Sequence, residues 1–340
     1  MSQAAPRVVW IAGNMERDEC VSVGMKRWNL GIACVALGLT AVTAQAQEDS
    51  AYHLRVDSRL IDMSVIVRDA RGVPVTGLPQ TAFHVREDGA PQTVRYFASQ
   101  RELPLSIGLI VDASDSQQKF VKEHEKEIEG FLREVMEPRD HAFAVCFGNH
   151  LRMTSDWTNS AKDIVESVHK FNKGDHDFPE LGPKEERVLG TALYDAIYFP
   201  IEAKLASENG RRRVLIVFSD GEENSSEHDL IDAITAAQGA DTLVYALRTT
   251  ENKEDKMNAR DRYGMRVLEH LSEASGGRVF DVRKEDSKAI FAAIATDLRS
   301  LYEVGYYSNN AERGRSFRKV AINVDGEGLK VQARAGYVAR

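Results

Sequence analysis

Apolar and polar positions follow two different patterns along the chain, one in the middle and another at both ends. Residues 105–111 form a nearly continuous apolar run, which is typical of a strand buried on both faces of a sheet. Similar runs recur downstream, separated by segments with apolar residues at helical spacing. The pattern predicts strands at 141–147, 213–219, 242–248 and 278–282, and helices near 120–136, 160–170, 191–205, 229–238, 264–274 and 286–301. Strands that alternate with helices predict an α/β fold with a doubly wound, mostly parallel sheet. Residues 151–154 closely follow strand 141–147, and we expect them to form an antiparallel edge strand.

Both ends of the chain have the pattern of short strands. Residues 52–98 and 302–334 contain alternating apolar and polar runs separated by Asn, Asp and Gly. Asp88-Gly89 predicts a hairpin that pairs 83–87 with 93–97. Each flank is too small for a core of its own, so we expect the two flanks to form one β-sandwich with the α/β domain inserted between them. The predicted domains are one half of the sandwich at 50–101, the α/β domain at 103–300 and the other half of the sandwich at 301–340.

One apolar stretch, residues 30–42, belongs to neither pattern. It follows Met25-Lys26-Arg27 and ends at Ala44-Gln45-Ala46, the arrangement of a secretory signal peptide. The stretch is shorter than the roughly 20 apolar residues that span a bilayer. We therefore interpret residues 1–46 as an upstream extension plus signal peptide, with translation starting at Met25 and the mature chain starting near residue 47. The expected location is periplasmic or extracellular, without a transmembrane anchor after cleavage.

Composition narrows the classes of function. The chain has 340 residues, 44 Lys and Arg, 52 Asp and Glu, and a formal net charge of −8. That balance argues against nucleic acid as a partner, since a nucleic-acid binder normally has a basic surface. Of the three cysteines, only Cys146 remains after the leader is removed. It lies within an apolar run, so we expect a small buried apolar group.

Oxygen-bearing side chains follow two predicted strands and precede one predicted helix. Asp112, Ser114 and Ser116 come directly after strand 105–111, Asp220 follows strand 213–219, and Thr191 lies at the start of helix 191–205. Ligands of open α/β sheets bind beyond the carboxyl ends of strands, so these groups can converge. Taken singly, Asp112 is more typical of a helix cap, Asp220-Gly221 of a turn and Thr191 of an N-cap. Together they form an all-oxygen set that suits a hard cation, Mg²⁺ first and Mn²⁺ or Ca²⁺ as alternatives.

These three motifs resemble the metal-ion-dependent adhesion site of von Willebrand factor A (VWA) domains. The resemblance covers about residues 103–300 and rests on D-x-S-x-S at 112–116, G-T-A-L-Y-D-A-I at 190–197 and S-D-G-E at 219–222. It implies a Rossmann-like fold in which Ser114 and Ser116 bind the metal directly. Thr191 and Asp220 would bind it directly or through water, and Asp112 through water. Asp115 departs from the glycine that many members have, which adds negative charge beside the site and leaves its affinity open. The flanks resemble those of secreted VWA-related proteins known especially from acidobacteria.

The resemblance implies a binding module. We expect an exported, metal-dependent protein-binding domain of adhesion or scaffold type, not an enzyme, whose cation is completed by an Asp or Glu of a protein partner. One alternative is a structural interaction protein with a degenerate metal site. Another is a Mg²⁺-dependent hydrolase, although Ser114 stands where haloacid-dehalogenase-type phosphatases have their acid/base Asp, and no phosphate-binding loop is evident.

Further polar residues are weaker candidates. His124, His150, His176 and His228 lack metal-ligand spacing, and we expect exposed or structural roles for them. The polar loop 172–183 could form part of the rim of the site, but its composition is more typical of a plain flexible loop. The side chains that follow Asp220 are expected near the rim; they are Glu222, Glu223 and Asn224.

Overall fold

The structure is a computed structural model that describes residues 60–99, 103–114, 116–148, 150–175, 177–182, 190–250, 257–310, 314 and 316–339. All of them belong to one compact unit, Val56–Arg340. The predicted leader and the start of the mature chain lie outside the described residues, as do Asp115 and His176.

The described residues form fourteen strands and six α-helices. The strands are β1 (Leu60–Arg68), β2 (Phe83–Glu87), β3 (Ala90–Gln92), β4 (Val94–Ser99), β5 (Leu105–Asp112), β6 (His141–Phe147), β7 (Leu151–Thr158), β8 (Arg212–Ser219), β9 (Thr242–Arg248), β10 (Val279–Asp281), β11 (Tyr302–Tyr307), β12 (Phe317–Val324), β13 (Lys330–Gln332) and β14 (Gly336–Val338). The helices are α1 (Val121–Val135), α2 (Ala161–Asn172), α3 (Leu193–Pro200), α4 (Leu230–Gly239), α5 (Ala259–Ser275) and α6 (Ser287–Arg299).

A six-stranded sheet occupies the middle of the chain, in the order β10-β9-β8-β5-β6-β7. Strands β5, β6, β8, β9 and β10 are parallel, and β7 pairs antiparallel with β6 at the edge, as predicted. Every residue of β5 and β9 is buried, because helices cover both faces of the sheet. The predicted α/β fold class is confirmed. Cys146 is fully buried, and burial raises the pKa of its thiol to about 12.

The two flanks combine into a β-sandwich, as predicted. One four-stranded sheet has the order β13-β1-β11-β4 and the other β14-β12-β2-β3, so each contains strands from both ends of the chain. In the first sheet β1 pairs antiparallel with β11, with Met63 opposite Val304. In the second, β2 pairs antiparallel with β12, with Val85 opposite Ile322. The inward side chains of both sheets share one apolar core.

The predicted hairpin between 83–87 and 93–97 is wrong in its second strand. The turn at Asp88-Gly89 is present, with φ of 49° and 84°, but it pairs β2 with β3. After β3 the chain crosses to the other sheet, where β4 pairs with β11. A primed turn fixes only the residues next to it. The partner of β4 lies about 200 residues downstream, beyond any local signal.

Two helices differ from their predicted bounds. α5 starts at Ala259 rather than near residue 264, because Asn258 and Asp261 form a capping box in which each side chain accepts a hydrogen bond from the other's backbone N–H. The predicted helix 191–205 becomes α3 followed by one π-helical segment, Ile201–Leu205. Pro200 lies at this junction and has no N–H to donate.

Buried polar contacts fasten the sandwich to the central sheet. Arg212 at the start of β8 donates to Glu303 of β11 at 3.0 Å and to the carbonyl oxygen of Leu298. Arg68 of β1 donates to Asp297 of α6 at 2.7 Å. Burial, together with the nearby charge of Asp241, raises the pKa of the Glu303 carboxyl to about 7 despite the Arg212 guanidinium. The two domains therefore meet through charged groups, and each of these groups can remain buried only because it is paired with an opposite charge.

His124 of α1 is a structural histidine, as predicted, in an apolar environment. Its ring lies between the rings of Phe120 and Phe218, with centroid distances of 6.4 Å and 6.1 Å. Within the described part of the chain, neither ring nitrogen has a hydrogen-bond partner. Burial lowers the pKa of this imidazole to about 4.

We expect His124 to make folding sensitive to mild acid. Below about pH 6.5 the unfolded chain protonates this side chain while the folded chain does not, so stability falls as the pH drops from about 6.5 towards 4. Between pH 7 and pH 5 the loss amounts to about 2 kcal/mol. Urea unfolding of His124→Leu at both pH values should show a pH dependence smaller by that amount. His270→Leu, a change at an exposed histidine of α5, should leave the pH dependence as it is. Equal pH dependence in wild type and His124→Leu would contradict the assignment.

Candidate metal centre

The ends of β5 and β8 place the predicted site residues at the carboxyl edge of the central sheet. β5 lies between β8 and β6 in the sheet. After β5 the chain first forms β6 on one side and later forms β8 on the other side, so the order of the strands reverses at β5. This is the switch point at which open α/β sheets bind ligands. The loop after β5 contains Ser114 and Ser116, and Asp220 directly follows β8.

Three of the predicted oxygens lie next to one another. Ser114 Oγ is 3.1 Å from Ser116 Oγ, and Ser116 Oγ donates to Asp220 Oδ2 at 3.1 Å. An octahedral Mg²⁺ with bonds of 2.0–2.1 Å separates adjacent ligand oxygens by about 2.9 Å. The spacing of these side chains fits neighbouring positions on one small, hard cation. Among the described residues, no group of three or more His, Cys, Asp or Glu has the arrangement of a metal site, so a cation here would depend on the hydroxyls.

Asp112 lies beneath these oxygens and joins the two loops. Its Oδ1 accepts a hydrogen bond from the backbone N–H of Ser114 at 3.0 Å, and its Oδ2 accepts one from Ser219 Oγ at 2.6 Å. The side chain is almost wholly buried. Burial and the nearby Asp220 carboxylate raise the pKa of Asp112 to about 7, and burial likewise raises the pKa of Asp220. A cation at this place would favour the ionised form of both carboxyl groups.

Thr191 approaches the site from the start of α3. Its backbone N–H donates to Asn224 Oδ1 at 2.8 Å, and its carbonyl oxygen accepts from Asn224 N at 3.1 Å. The next residue, Ala192, donates its N–H to Gly148, and Gly148 packs against the backbone of Ser114. Ala192 takes the N-cap position, with no side-chain cap, so the single-residue interpretation of Thr191 as an N-cap is wrong. The Thr191 side chain is buried at this edge of the sheet.

The loop after Asp220 positions the site, a role that the sequence did not indicate. Glu223 was expected at the rim, but its carboxylate accepts hydrogen bonds from the N–H groups of Tyr194, Ser225 and Ser226, at 2.8–3.0 Å. Its Oε2 caps the first turn of α3 in place of a conventional N-cap residue. Asn224 ties this loop to Thr191. The signal that could have indicated this role is the run of polar side chains directly after the D-G turn, because such residues commonly form hydrogen bonds with the backbone of their own loop.

Gln117 is a second residue that sequence reasoning missed. Its Nε2 donates to Asp220 Oδ2 at 2.7 Å, and the side chain is only 1% exposed. Asp220 Oδ1 accepts a hydrogen bond from the N–H of Glu222 at 3.0 Å. Both oxygens of Asp220 are therefore oriented by neighbours. The only sequence signal for Gln117 is its place directly after the D-x-S-x-S motif.

Two glycines allow α5 to pack against the Asp220 loop. Gly221 has φ of +84°, and a Cβ added to it would lie 2.3 Å from the carbonyl oxygen of Gly264. A Cβ added to Gly264 would lie 2.5 Å from the carbonyl oxygen of Asp220. Any side chain at either position would have to displace backbone. Close packing of backbone on backbone therefore fixes where Asp220 stands.

The other candidate residues have polar partners of their own. His150 Nδ1 is 2.8 Å from Glu180 Oε1, and His228 Nδ1 is 2.8 Å from the buried Asp195 carboxylate. Glu222 lines a pocket beside Asp220 and forms an ion pair with Arg260. Among the helices that the structure describes, none is both long and apolar enough to span a membrane.

The comparison with sequence models of known families identifies the family of the central domain. A sequence model of the von Willebrand factor type A domain matches residues 106–293, more than half of the chain. The chain belongs to the VWA domain family. Its VWA domain is the six-stranded sheet with its covering helices, and D-x-S-x-S, Thr191 and Asp220 lie within the matched range. The resemblance inferred from the three motifs is confirmed.

Solved structures similar to this chain include bacterial and eukaryotic proteins. An aerotolerance-related membrane protein from Bacteroides fragilis is 17% identical, with 57% of this chain and 98% of that chain covered and a TM-score of 0.41. BatB from Bacteroides thetaiotaomicron is 16% identical, with 57% and 96% covered and a TM-score of 0.41. The SpRpn10 VWA domain is 12% identical, with 53% and 88% covered and a TM-score of 0.37. No curated protein is similar enough in sequence to count as a relative.

Proposed function

We propose that this chain is an exported, metal-dependent protein-binding module. In this proposal Ser114 and Ser116 bind Mg²⁺ directly, Thr191 and Asp220 bind it directly or through water, and Asp112 acts through water. A carboxylate from a protein partner completes the coordination. The observation that carries the proposal is the spacing of the three oxygens of Ser114, Ser116 and Asp220, which matches adjacent ligands of one small cation.

The chemistry of the donors favours binding of an acidic partner. Serine hydroxyls are neutral ligands, so a divalent ion held by them keeps much of its positive charge. A cation that keeps charge attracts a carboxylate from outside, whereas a site built from three carboxylates would neutralise it. Within the protein, Gln117 and the backbone of Glu222 orient the Asp220 carboxylate, to which Ser116 Oγ also donates.

The arrangement of Asp112 supports a binding role over hydrolysis. A phosphohydrolase of the kind considered above needs an accessible Asp as nucleophile at the end of this strand. Here both oxygens of Asp112 accept hydrogen bonds and the side chain is buried beneath the serines. Turnover of a generic aryl phosphate by the full chain would reverse this preference.

The experiment that tests the proposal is titration of a short peptide into the fluorescently labelled full chain, followed by microscale thermophoresis. The probe is a glycine-rich peptide with one aspartate. It should bind in excess Mg²⁺ with a dissociation constant on the order of 1 mM, because it makes only one strong contact. Binding should disappear in EDTA and in Ser116→Ala, and persist in Ser207→Ala, a change at an exposed serine outside the site. Equal binding with and without Mg²⁺ would overturn metal dependence.

A further inference from the structure

A pocket opens beside the oxygen cluster on the side of α5. Its volume is about 210 Å³, and it shares Ser116 and Asp220 with the site described above. The remaining lining comes from the segment before α1, from Glu222 after β8, from Thr250 after β9 and from the start of α5, where Asp261 adds a carboxylate to those of Asp220 and Glu222. The residues used below are Gln117, Lys119, Glu222 and Arg260. A partner group bound at the cluster would therefore have this pocket as its immediate neighbour.

Two cationic side chains, Lys119 and Arg260, line the pocket. Lys119 precedes α1, and Arg260 lies in the first turn of α5. The Arg260 side chain is 67% exposed and forms an ion pair with Glu222. Glu222 also accepts a hydrogen bond from Asn224 Nδ2 at 2.9 Å, so it keeps a partner when Arg260 turns towards a ligand. Arg260 is close enough to Asp220 for its charge to counter part of the rise in the pKa of that carboxyl.

Gln117 supplies a second and independent indication of a ligand. Its Nε2 is used by Asp220, whereas Oε1 has no hydrogen-bond partner among the residues that the structure describes. A buried acceptor without a donor destabilises the protein, and a ligand N–H would satisfy it. The exposed guanidinium of Arg260 and the free acceptor of Gln117 together favour a ligand that brings both a carboxylate and an N–H donor, which is what a peptide with acidic side chains offers.

We propose that the partner binds through an acidic peptide segment with two carboxylates, one at the Ser114–Ser116–Asp220 cluster and the other on Arg260, while a peptide N–H reaches Gln117. This inference rests on the proposed function and adds the specificity of the same site. Arginine suits the second position, because its planar guanidinium binds a carboxylate through two parallel hydrogen bonds. Side chains two residues apart on an extended peptide face the same way, so the two acids are expected at alternate positions.

The experiment compares two glycine-rich peptides, one with a single aspartate and one with aspartate and glutamate separated by one glycine. Each is titrated into the labelled full chain in excess Mg²⁺. The peptide with two acids should bind about fivefold more tightly to the wild type, as expected for one partly exposed ion pair. Arg260→Gln should remove this advantage, so that the two peptides bind the variant with the same affinity. The matched control, Arg266→Gln, alters an exposed arginine further along α5 and should keep the advantage.

The outcomes separate this inference from the function on which it rests. If the single-aspartate peptide binds in a Mg²⁺-dependent way but the second acid adds nothing, or if Arg260→Gln keeps the advantage, the role of Arg260 is wrong and the metal-dependent function stands. If neither peptide binds the wild type in Mg²⁺, both fail. Because Arg260 is mostly exposed, its replacement should leave thermal unfolding unchanged, which excludes misfolding as the cause of a loss.

Discussion

Replacing Arg212 by methionine is expected to lower the free energy of unfolding by about 3–5 kcal/mol. The guanidinium donates to Glu303 at 3.0 Å and to the carbonyl oxygen of Leu298, and both charged side chains are buried where the sandwich meets the central sheet. Removing one partner leaves the Glu303 carboxyl buried without its cation, and protonation of that carboxyl recovers only part of the loss. Urea unfolding at neutral pH measures the effect.

Two further variants show that the loss comes from breaking the pair. In Arg212→Met combined with Glu303→Leu no buried charge is left alone, so most of the stability should return. Arg133→Met breaks an ion pair with Glu129 on the exposed face of α1 and should cost less than about 1 kcal/mol. If Arg212→Met were as mild as Arg133→Met, the buried pair would not fasten the two domains.

The second large effect is expected from the cation itself. At a Mg²⁺ concentration 100 times its dissociation constant, the free energy of unfolding should rise by about 2.7 kcal/mol. Asp220→Ala should abolish this rise together with the heat of Mg²⁺ binding in a calorimetric titration. Asp163→Ala, a change at an exposed aspartate in the first turn of α2, should leave both unchanged. An equal rise in Asp220→Ala would place Mg²⁺ binding elsewhere on the protein.

Ion size provides a further check on the same site. In an octahedral site Ca²⁺, which binds oxygens at 2.3–2.6 Å, separates neighbouring ligands by about 3.5 Å, more than the 3.1 Å between Ser114 Oγ and Ser116 Oγ. If the site keeps six ligands, Mg²⁺ and Mn²⁺ should therefore bind more tightly than Ca²⁺ in the same calorimetric titration. Tighter binding of Ca²⁺ would mean that the loop opens around the ion.

The parts of the fold that could be predicted from the sequence are those with local signals. The apolar run of β5 and the helical spacing after it predict buried parallel strands, and strand ends of one sheet bring Ser116 and Asp220 together. Neither inference needs the side-chain packing, because the carboxyl ends of neighbouring parallel strands always meet at one edge.

The parts that could not be predicted depend on partners far away in the chain. β4 follows β3 directly, yet it joins the other sheet because β11 is there. Glu223 and Asn224 have the composition of a plain polar loop, and their roles become visible only when α3 lies beside them. The start of α5 is different: Asn258 and Asp261 have the spacing of a capping box, but the charged residues at 260–262 obscure the apolar periodicity that follows.

The pairing of β4 with β11 also determines how the protein transmits a pulling force. The chain enters the VWA domain after Ser99 and leaves it at Tyr302, and these two residues lie opposite each other in the same antiparallel ladder. Two adjacent strands, β4 and β11, therefore connect the domain to the sandwich and form its stem. The Ser114–Ser116–Asp220 cluster lies at the opposite end of the central sheet, beyond the carboxyl ends of β5 and β8. Tension from a bound partner would run along the parallel strands and reach the stem at the Ser99–Tyr302 pair first. The ladder would then open one residue pair at a time, and the contact between Arg212 and Glu303, next to Tyr302 in β11, would resist that opening.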